Sequence, residues 1–248
     1  PALAGRAFLL SSYSIAMGSS WAVPNGLQGT VDGVTMATPL SYLYGDARKA
    51  ADLAERAVVD ELKEINGNVG VAIVMEVATG DIKAIVNMEK VADGVYRETK
   101  NHAVSDLLEP GSVFKTASLL VALDDEVTDT NEIVETGGGV WNMHGRDMKD
   151  HNWTRGGYGT MRLPKALEVS SNIGVSRIVD KYYEKNPEKF VDGIYRLGLA
   201  EDFHLPIPGY SPAKIRRPKK DAKGKQYVNW SKTALPWMSI GYETQVPP

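Results

Sequence analysis

From Asp46 the apolar positions fall into a helical rhythm: Ala47, Ala50, Leu53, Ala54, Ala57, Val58, Leu62 and Ile65 recur at spacings of three and four. That spacing gathers them into one stripe along a helix and leaves the charged residues on the other side. Asn66-Gly67 ends the pattern, because both residues tolerate the left-handed backbone that closes a helix. The rhythm then shortens. Val71–Val77 and Ile82–Met88 are β-rich runs separated by Ala78-Thr79-Gly80-Asp81, which predicts a hairpin with a four-residue loop. The first run is apolar nearly throughout, so a strand covered on both faces is expected. A polar connection over residues 89–101, containing Asp93-Gly94, follows.

Further along, Ser112–Leu123 reads as a short apolar helix and Leu163–Tyr183 as a longer one, or as two. Gly137-Gly138-Gly139 and Gly156-Gly157-Tyr158-Gly159 mark loops between them. After Leu199 the chain turns Pro-rich, and the seven basic residues within Lys214–Lys225 read as a solvated loop. One helix, a strand pair and then a helical block predict an α+β architecture, with helices packed on a mainly antiparallel sheet. Residues 1–45 show no period and stay unassigned. Their stretch Ala7–Ala22 (AFLLSSYSIAMGSSWA) only faintly resembles an export signal: Ser interrupts it and Arg6 alone precedes it. An irregular start is the preferred reading.

The bulk numbers remove several functions. With 248 residues the chain can bury one large core or two small ones. A formal net charge of −3 argues against a nucleic-acid partner. The absence of cysteine excludes disulfides and thiolate metal sites. No apolar run reaches the roughly 18 residues a membrane helix needs. The four histidines are too scattered for a ligand pair at helical spacing. His144 and His151 flank one loop and could meet, but no acidic cluster accompanies them. Neither a metal nor an organic cofactor is expected.

The chemistry concentrates in Glu109-Pro110-Gly111-Ser112-Val113-Phe114-Lys115. Pro110 and Gly111 break the chain just before an apolar helical run, so Ser112 falls at a helix N-terminus, where free N–H groups and the dipole favour developing negative charge. Lys115, three residues on, projects from the same face one turn later. A serine hydroxyl needs a neighbouring base, and a lysine serves as one only when burial or charge lowers its pKa. Phe114, Leu119 and Leu120 are the apolar flank expected to bury it. A second Ser-x-x-Lys, Ser211-Pro212-Ala213-Lys214, lies in the basic loop without a helix to align it. Ser170-Ser171-Asn172 adds a second element: Ser170 can relay a proton between Lys115 and a leaving amine, and the Asn172 amide can hold Lys115 or the substrate backbone. Ser-x-x-Lys followed by Ser-x-Asn is the ordered pair found in penicillin-recognising serine enzymes.

Together with the runs GVAIVMEVATGDIKAIVNM, EPGSVFK, HNWTRGGYGT, SSNIGVSRIVD and LPWMSIGYETQVPP, these motifs resemble the transpeptidase domain of class B penicillin-binding proteins of the division type. The resemblance runs from about residue 46 to 248 and leaves out residues 1–40. It implies an antiparallel sheet flanked by helices with a helical subdomain, the nucleophile at the start of a buried helix. It implies cross-linking of peptidoglycan stem peptides: the serine attacks a D-Ala-D-Ala bond, releases D-Ala and passes the acyl chain to an amine. β-Lactams mimic that dipeptide and acylate the same serine. The catalytic set so implied is Ser112, Lys115, Ser170 and Asn172, with Trp153, Gly156 and Gly157 as loop residues near the cleft. Expected partners are stem peptides, β-lactams and membrane proteins of a division complex. The expected location is the extracytoplasmic face of the bacterial inner membrane, with the anchor outside this chain.

The family's third motif, Lys-Thr-Gly, has no counterpart here. Lys232-Thr233-Ala234 falls in a stretch that resembles what precedes it. The sheet is therefore expected to be incomplete at the C-terminus, with an exposed edge and one oxyanion-hole donor missing, a loss worth about 10²–10³ in rate. Reduced activity is expected. A β-lactamase is the nearest alternative, but the Glu-x-x-Leu-Asn string of class A is missing and class D enzymes carry Val where Asn172 stands. A penicilloyl sensor or an inactive scaffold of a division complex is the non-enzymatic alternative.

Overall fold

A computed structural model describes residues 22–23, 26–27, 30–31, 34–35 and 47–248, apart from 203, 205, 206, 208, 225 and 226. The signal-like stretch from Ala7 lies outside the described residues save Ala22, which starts a short strand. That strand, β1 (Ala22–Val23), pairs with β2 (Gly26–Leu27), and β3 (Thr30–Val31) pairs with β4 (Val34–Thr35). The chain divides into two compact units, residues 1–106, 205–211 and 247–248 in the first, and residues 107–204 and 212–246 in the second.

In the first unit, α1 (Ala47–Ile65) matches its periodicity. It closes where Asn66 turns left-handed (φ 53°), with Gly67 N–H donating to Leu62 O and Asn66 N–H to Lys63 O. The hairpin follows as β5 (Val69–Met75) and β6 (Ile82–Ala92), offset by up to four residues from the predicted runs. The polar connection holds a strand that the sequence reading missed. Asp93-Gly94 is a two-residue hairpin turn, and β7 (Val95–Arg97) returns along β6. The order is β5-β6-β7, all antiparallel. Leu62, Val86 and Met88 form the buried centre between helix and sheet, flanked by Val58, Ala72 and Tyr96. The expectation that β5 is covered on both faces is corrected. It is an edge strand of this sheet, half-buried from Gly70 to Met75, and the fully buried side chains belong to β6. The short α2 (His102–Ser105) ends this part of the unit.

The second unit is built around α3 (Phe114–Asp124), entered through a 3₁₀ turn at Gly111–Val113. An apolar helix of this kind needs cover on several sides. It is packed by α5 (Asn172–Tyr183), α6 (Pro187–Arg196) and α7 (Ala234–Ser239). One core joins Phe114 and Val121 to Val179, Tyr183, Phe190, Ile194 and Met238; the other joins Leu119 to Ile173, Ile178, Met148 and Met161. Gly193 lets α6 approach closely, since a Cβ there would lie 2.3 Å from Val121 Cγ1. The Leu163–Tyr183 run is two helices, α4 (Leu163–Glu168) and α5, broken at Val169–Ser171. Helix α6 lay outside the predicted elements, although Pro187 in its first turn is a start signal. The loops around the Gly clusters carry short strands: β8 (Ile133–Glu135) pairs with β11 (Thr160–Arg162), and β9 (Val140–Met143) with β10 (Arg146–Lys149). The β9–β10 turn is His144-Gly145, both at positive φ. Histidine in the place usually held by Asn hides that hairpin signal. Finally, β12 (Lys214–Ile215) pairs with β13 (Thr244–Gln245).

Candidate functional site

Ser112 stands in the middle of the Gly111–Val113 turn with its side chain exposed. Gly111 takes a left-handed conformation (φ 58°), which swings the chain from the preceding loop into the helix. Lys115, in the first turn of α3, is fully buried, and Phe114 and Leu119 are buried with it. Leu120, expected in that apolar flank, is 45% exposed and is corrected to the outer face of α3.

Burial pushes the Lys115 ammonium from 10.5 down to about 8, while the charge of Asp150 pulls it back up. Its Nζ donates to Ser170 O at 2.6 Å and to Ser170 Oγ at 3.0 Å. The structure therefore brings Lys115 and Ser170 into hydrogen-bond contact.

Ser170 occupies an unusual backbone position. Its N–H donates to Leu167 O and the Ser171 N–H to Ala166 O, the double closure that ends α4. The position between them takes φ 52°, where glycine is favoured and a serine costs about 1–2 kcal/mol. A side chain kept where a bare hydrogen would be cheaper marks the hydroxyl as the reason for the residue. Ser171 then caps α5, its Oγ accepting from Gly174 N–H at 2.8 Å. Asn172 opens that helix. Its Nδ2 donates to Lys149 O at 2.8 Å, so the amide is held by the β10 end rather than by Lys115. Lys214 of the second Ser-x-x-Lys begins a two-residue strand, and Thr233 of Lys232-Thr233-Ala234 precedes α7.

Two features at the site were not anticipated. Asp150 is 1% exposed and accepts from Ser171 Oγ at 2.8 Å and from Ile173 N–H at 3.0 Å. Gly241 closes α7 with φ 86° and accepts from Gly111 N–H at 3.1 Å. A Cβ on Gly241 would lie 2.0 Å from Gly111 O, so only glycine lets α7 support the turn that carries Ser112. An acidic residue five places after a hairpin turn, and a lone Gly after PWMSI, carry no distinctive sequence signal.

Around this centre the Gly clusters interlock: a Cβ on Gly157 would lie 2.2 Å from Gly139 N. Gly156 is left-handed (φ 96°) and ends the 3₁₀ turn that holds Trp153. The half-exposed Trp153 lies under Lys149 Nζ, 4.0 Å from the ring centre. The two histidines do not meet. His144 Nε2 lies 2.9 Å from both Asp180 oxygens, and His151 lies 3.0 Å from Tyr158 OH. Among the described residues no three His, Asp or Glu side chains are grouped to hold a metal.

The model of the penicillin binding protein transpeptidase domain matches residues 70–235. The probable peptidoglycan D,D-transpeptidase PenA of Neisseria flavescens is 25% identical over 182 residues, covering 71% of this chain and 41% of that protein. The peptidoglycan D,D-transpeptidase FtsI of Escherichia coli strain K12 is 26% identical over 219 residues, covering 82% and 34%. The chain thus spans less than half the length of these relatives. Among solved structures, a peptidoglycan glycosyltransferase from Burkholderia ambifaria superposes with a TM-score of 0.64 at 25% identity, covering 84% of this chain and 56% of that one. The TP domain of penicillin-binding protein 3 from Burkholderia pseudomallei gives 0.63 at 23% identity, covering 84% and 53%, a likeness of fold.

Proposed function

Because the chain belongs to the penicillin binding protein transpeptidase domain family, we propose that it carries the acylation site of a peptidoglycan D,D-transpeptidase, with Ser112 as nucleophile. The observation that supports this most is the buried Lys115, its pKa lowered to about 8, one turn from an exposed serine and hydrogen-bonded to a second serine at 3.0 Å. The Ser112 hydroxyl adds to the carbonyl of the penultimate D-Ala of a stem peptide, and its proton passes to neutral Lys115 Nζ. Gly111 N–H is taken by Gly241 O, so the backbone donor that the turn offers the developing oxyanion is the N–H of Ser112 itself. Collapse breaks the peptide C–N bond. The proton held by Lys115 passes through Ser170 Oγ to the departing D-Ala amine. The acyl-Ser112 ester is then taken by the amine of a neighbouring stem peptide. Asn172 orients the peptide backbone.

β-Lactams acylate the same serine. The transpeptidase domain on this reading covers residues 46–248. It works on the extracytoplasmic face of the inner membrane, beside membrane proteins of a division complex. No helix among the described residues is long and apolar enough to cross a membrane.

The test is the intact mass of the protein after incubation with a slowly hydrolysed penicillin. A single penicilloyl adduct is expected on the parent, long-lived, and none on Ser112→Ala. A transient adduct with continuous penicillin turnover indicates a β-lactamase instead. An unmodified mass, both on this chain and on one lengthened by a Lys-Thr-Gly strand, overturns the assignment.

A further inference from the structure

Among the described residues, Lys115 and Asp150 are the only Lys, Arg, Asp or Glu side chains that are fully buried. They come from different elements, the first turn of α3 and the residue after β10, and no Lys or Arg pairs directly with Asp150 among the described residues. Withdrawing a carboxylate from water costs several kcal/mol unless hydrogen bonds and opposite charge compensate. Here the compensation is specific. Asp150 Oδ2 accepts from Ser171 Oγ (2.8 Å) and Oδ1 from Ile173 N–H (3.0 Å), one of the orphan donors of α5. The carboxylate thus sits at the positive end of that helix. Ser171, held from below by Asp150, is the next residue after the left-handed Ser170 whose carbonyl and hydroxyl receive Lys115.

We propose that Asp150 is the positioning residue of this site: its carboxylate clamps the Ser170–Ile173 segment from the buried side, fixing Ser170 over Lys115, and serves as the buried counter-charge of that lysine. The inference rests on the transpeptidase reading for its catalytic meaning but not for its test. The groups that face Lys115 are Ser170, from the break between α4 and α5, and the charge of Asp150, from the loop after β10. The field of Asp150 also reaches Tyr158, whose phenol is raised by burial and then by Asp150, and which is hydrogen-bonded to His151. Without Asp150, burial alone acts on Lys115 and drives it further toward the neutral amine.

Lysine side chains labelled with ¹³C are titrated by NMR in the parent, in Asp150→Asn and in Asp150→Ala, with Lys115 assigned from Lys115→Arg. Asparagine keeps an acceptor for Ile173 N–H and removes the charge. The Lys115 midpoint is expected to fall below the parent value in Asp150→Asn while the Ile173 and Gly174 amides stay protected from exchange. In Asp150→Ala the midpoint falls and those amides exchange faster. A Lys115 midpoint that matches the parent in Asp150→Asn, or full protection of both amides in Asp150→Ala, overturns the proposal. If neither variant folds, Ser171→Ala decides: it keeps the carboxylate and its bond to Ile173 N–H, so the Lys115 midpoint and the Ile173 protection must hold while Gly174, which loses its Ser171 Oγ acceptor, exchanges faster; a shifted midpoint or an unprotected Ile173 overturns the proposal. Absence of any penicilloyl adduct sinks the transpeptidase reading and leaves this comparison intact.

Discussion

The pH dependence of Ser112 acylation tests the core of the chemical argument, because it asks whether burial has converted a lysine into a usable base. At its ordinary 10.5, lysine is neutral in only about 3 × 10⁻⁴ of molecules at pH 7. At about 8, the neutral fraction at pH 7 is roughly 0.1, a gain of about 300-fold, equivalent to ~3 kcal/mol. If neutral Lys115 takes the Ser112 proton, the acylation rate follows that fraction. It should climb about tenfold per unit below pH 7, bend near 8 and level off by about pH 9. The assay is the initial rate of adduct formation with a chromogenic cephalosporin from pH 6 to 10, under single-turnover conditions. Lys115→Arg, fixed in the charged state at every pH used, should lose the pH-dependent phase and most of the rate. Two results refute the reasoning. A rate flat from pH 6 to 9 means that Lys115 does not take the proton. A rate still rising tenfold per unit at pH 10 means that burial has not lowered it.

The same burial has a cost in stability, and its sign is fixed by the direction of the shift. The folded-state value, about 8, lies below the unfolded 10.5, so between them the unfolded chain binds more protons and stability rises with pH. Lys115→Met should therefore match or exceed the parent in denaturant unfolding at pH 7, and that advantage should shrink as the pH rises from 8 to 10. Gly241→Ala should destabilise the chain by about 2–4 kcal/mol, combining a left-handed alanine with a Cβ pressed on backbone. Because that atom would meet Gly111 O at 2.0 Å, it should also slow acylation of the adjacent Ser112, read as a lower adduct rate at unchanged pH midpoint.

What the sequence discloses and what it hides follow the same physical line. Helix α1 was legible because one stripe of small and branched apolar residues meets one sheet, and its Asn66-Gly67 stop forms the closure those residues favour. The placement of Ser112 just before a helix and of Lys115 in its first turn was legible because their relation is local, set by one helical turn. Ser170 was legible as a motif, yet its left-handed backbone was not, since serine carries no signal for that state. The missed elements are those whose meaning lies at long range. Leu120 reads as core next to Leu119, but which of two adjacent leucines faces inward depends on where α5 and α6 pack. Asn172 reads as a holder of Lys115 or of the substrate backbone, and which of the two stays open to it depends on Lys149 O, 23 residues away, which takes its Nδ2. Asp150 looks like one more surface acid after a hairpin, and becomes the buried anchor of Ser171 only when β10 meets the start of α5. Gly241 is one of 24 glycines, singled out only by the backbone of Gly111 lying where its side chain would be. The motif residues can thus be read from their own neighbours. The residues that hold the motif in shape must be read from the fold, and Asp150 and Gly241 are where substitution should separate stability from proton chemistry: the first through the charge on Lys115, the second through the position of Ser112.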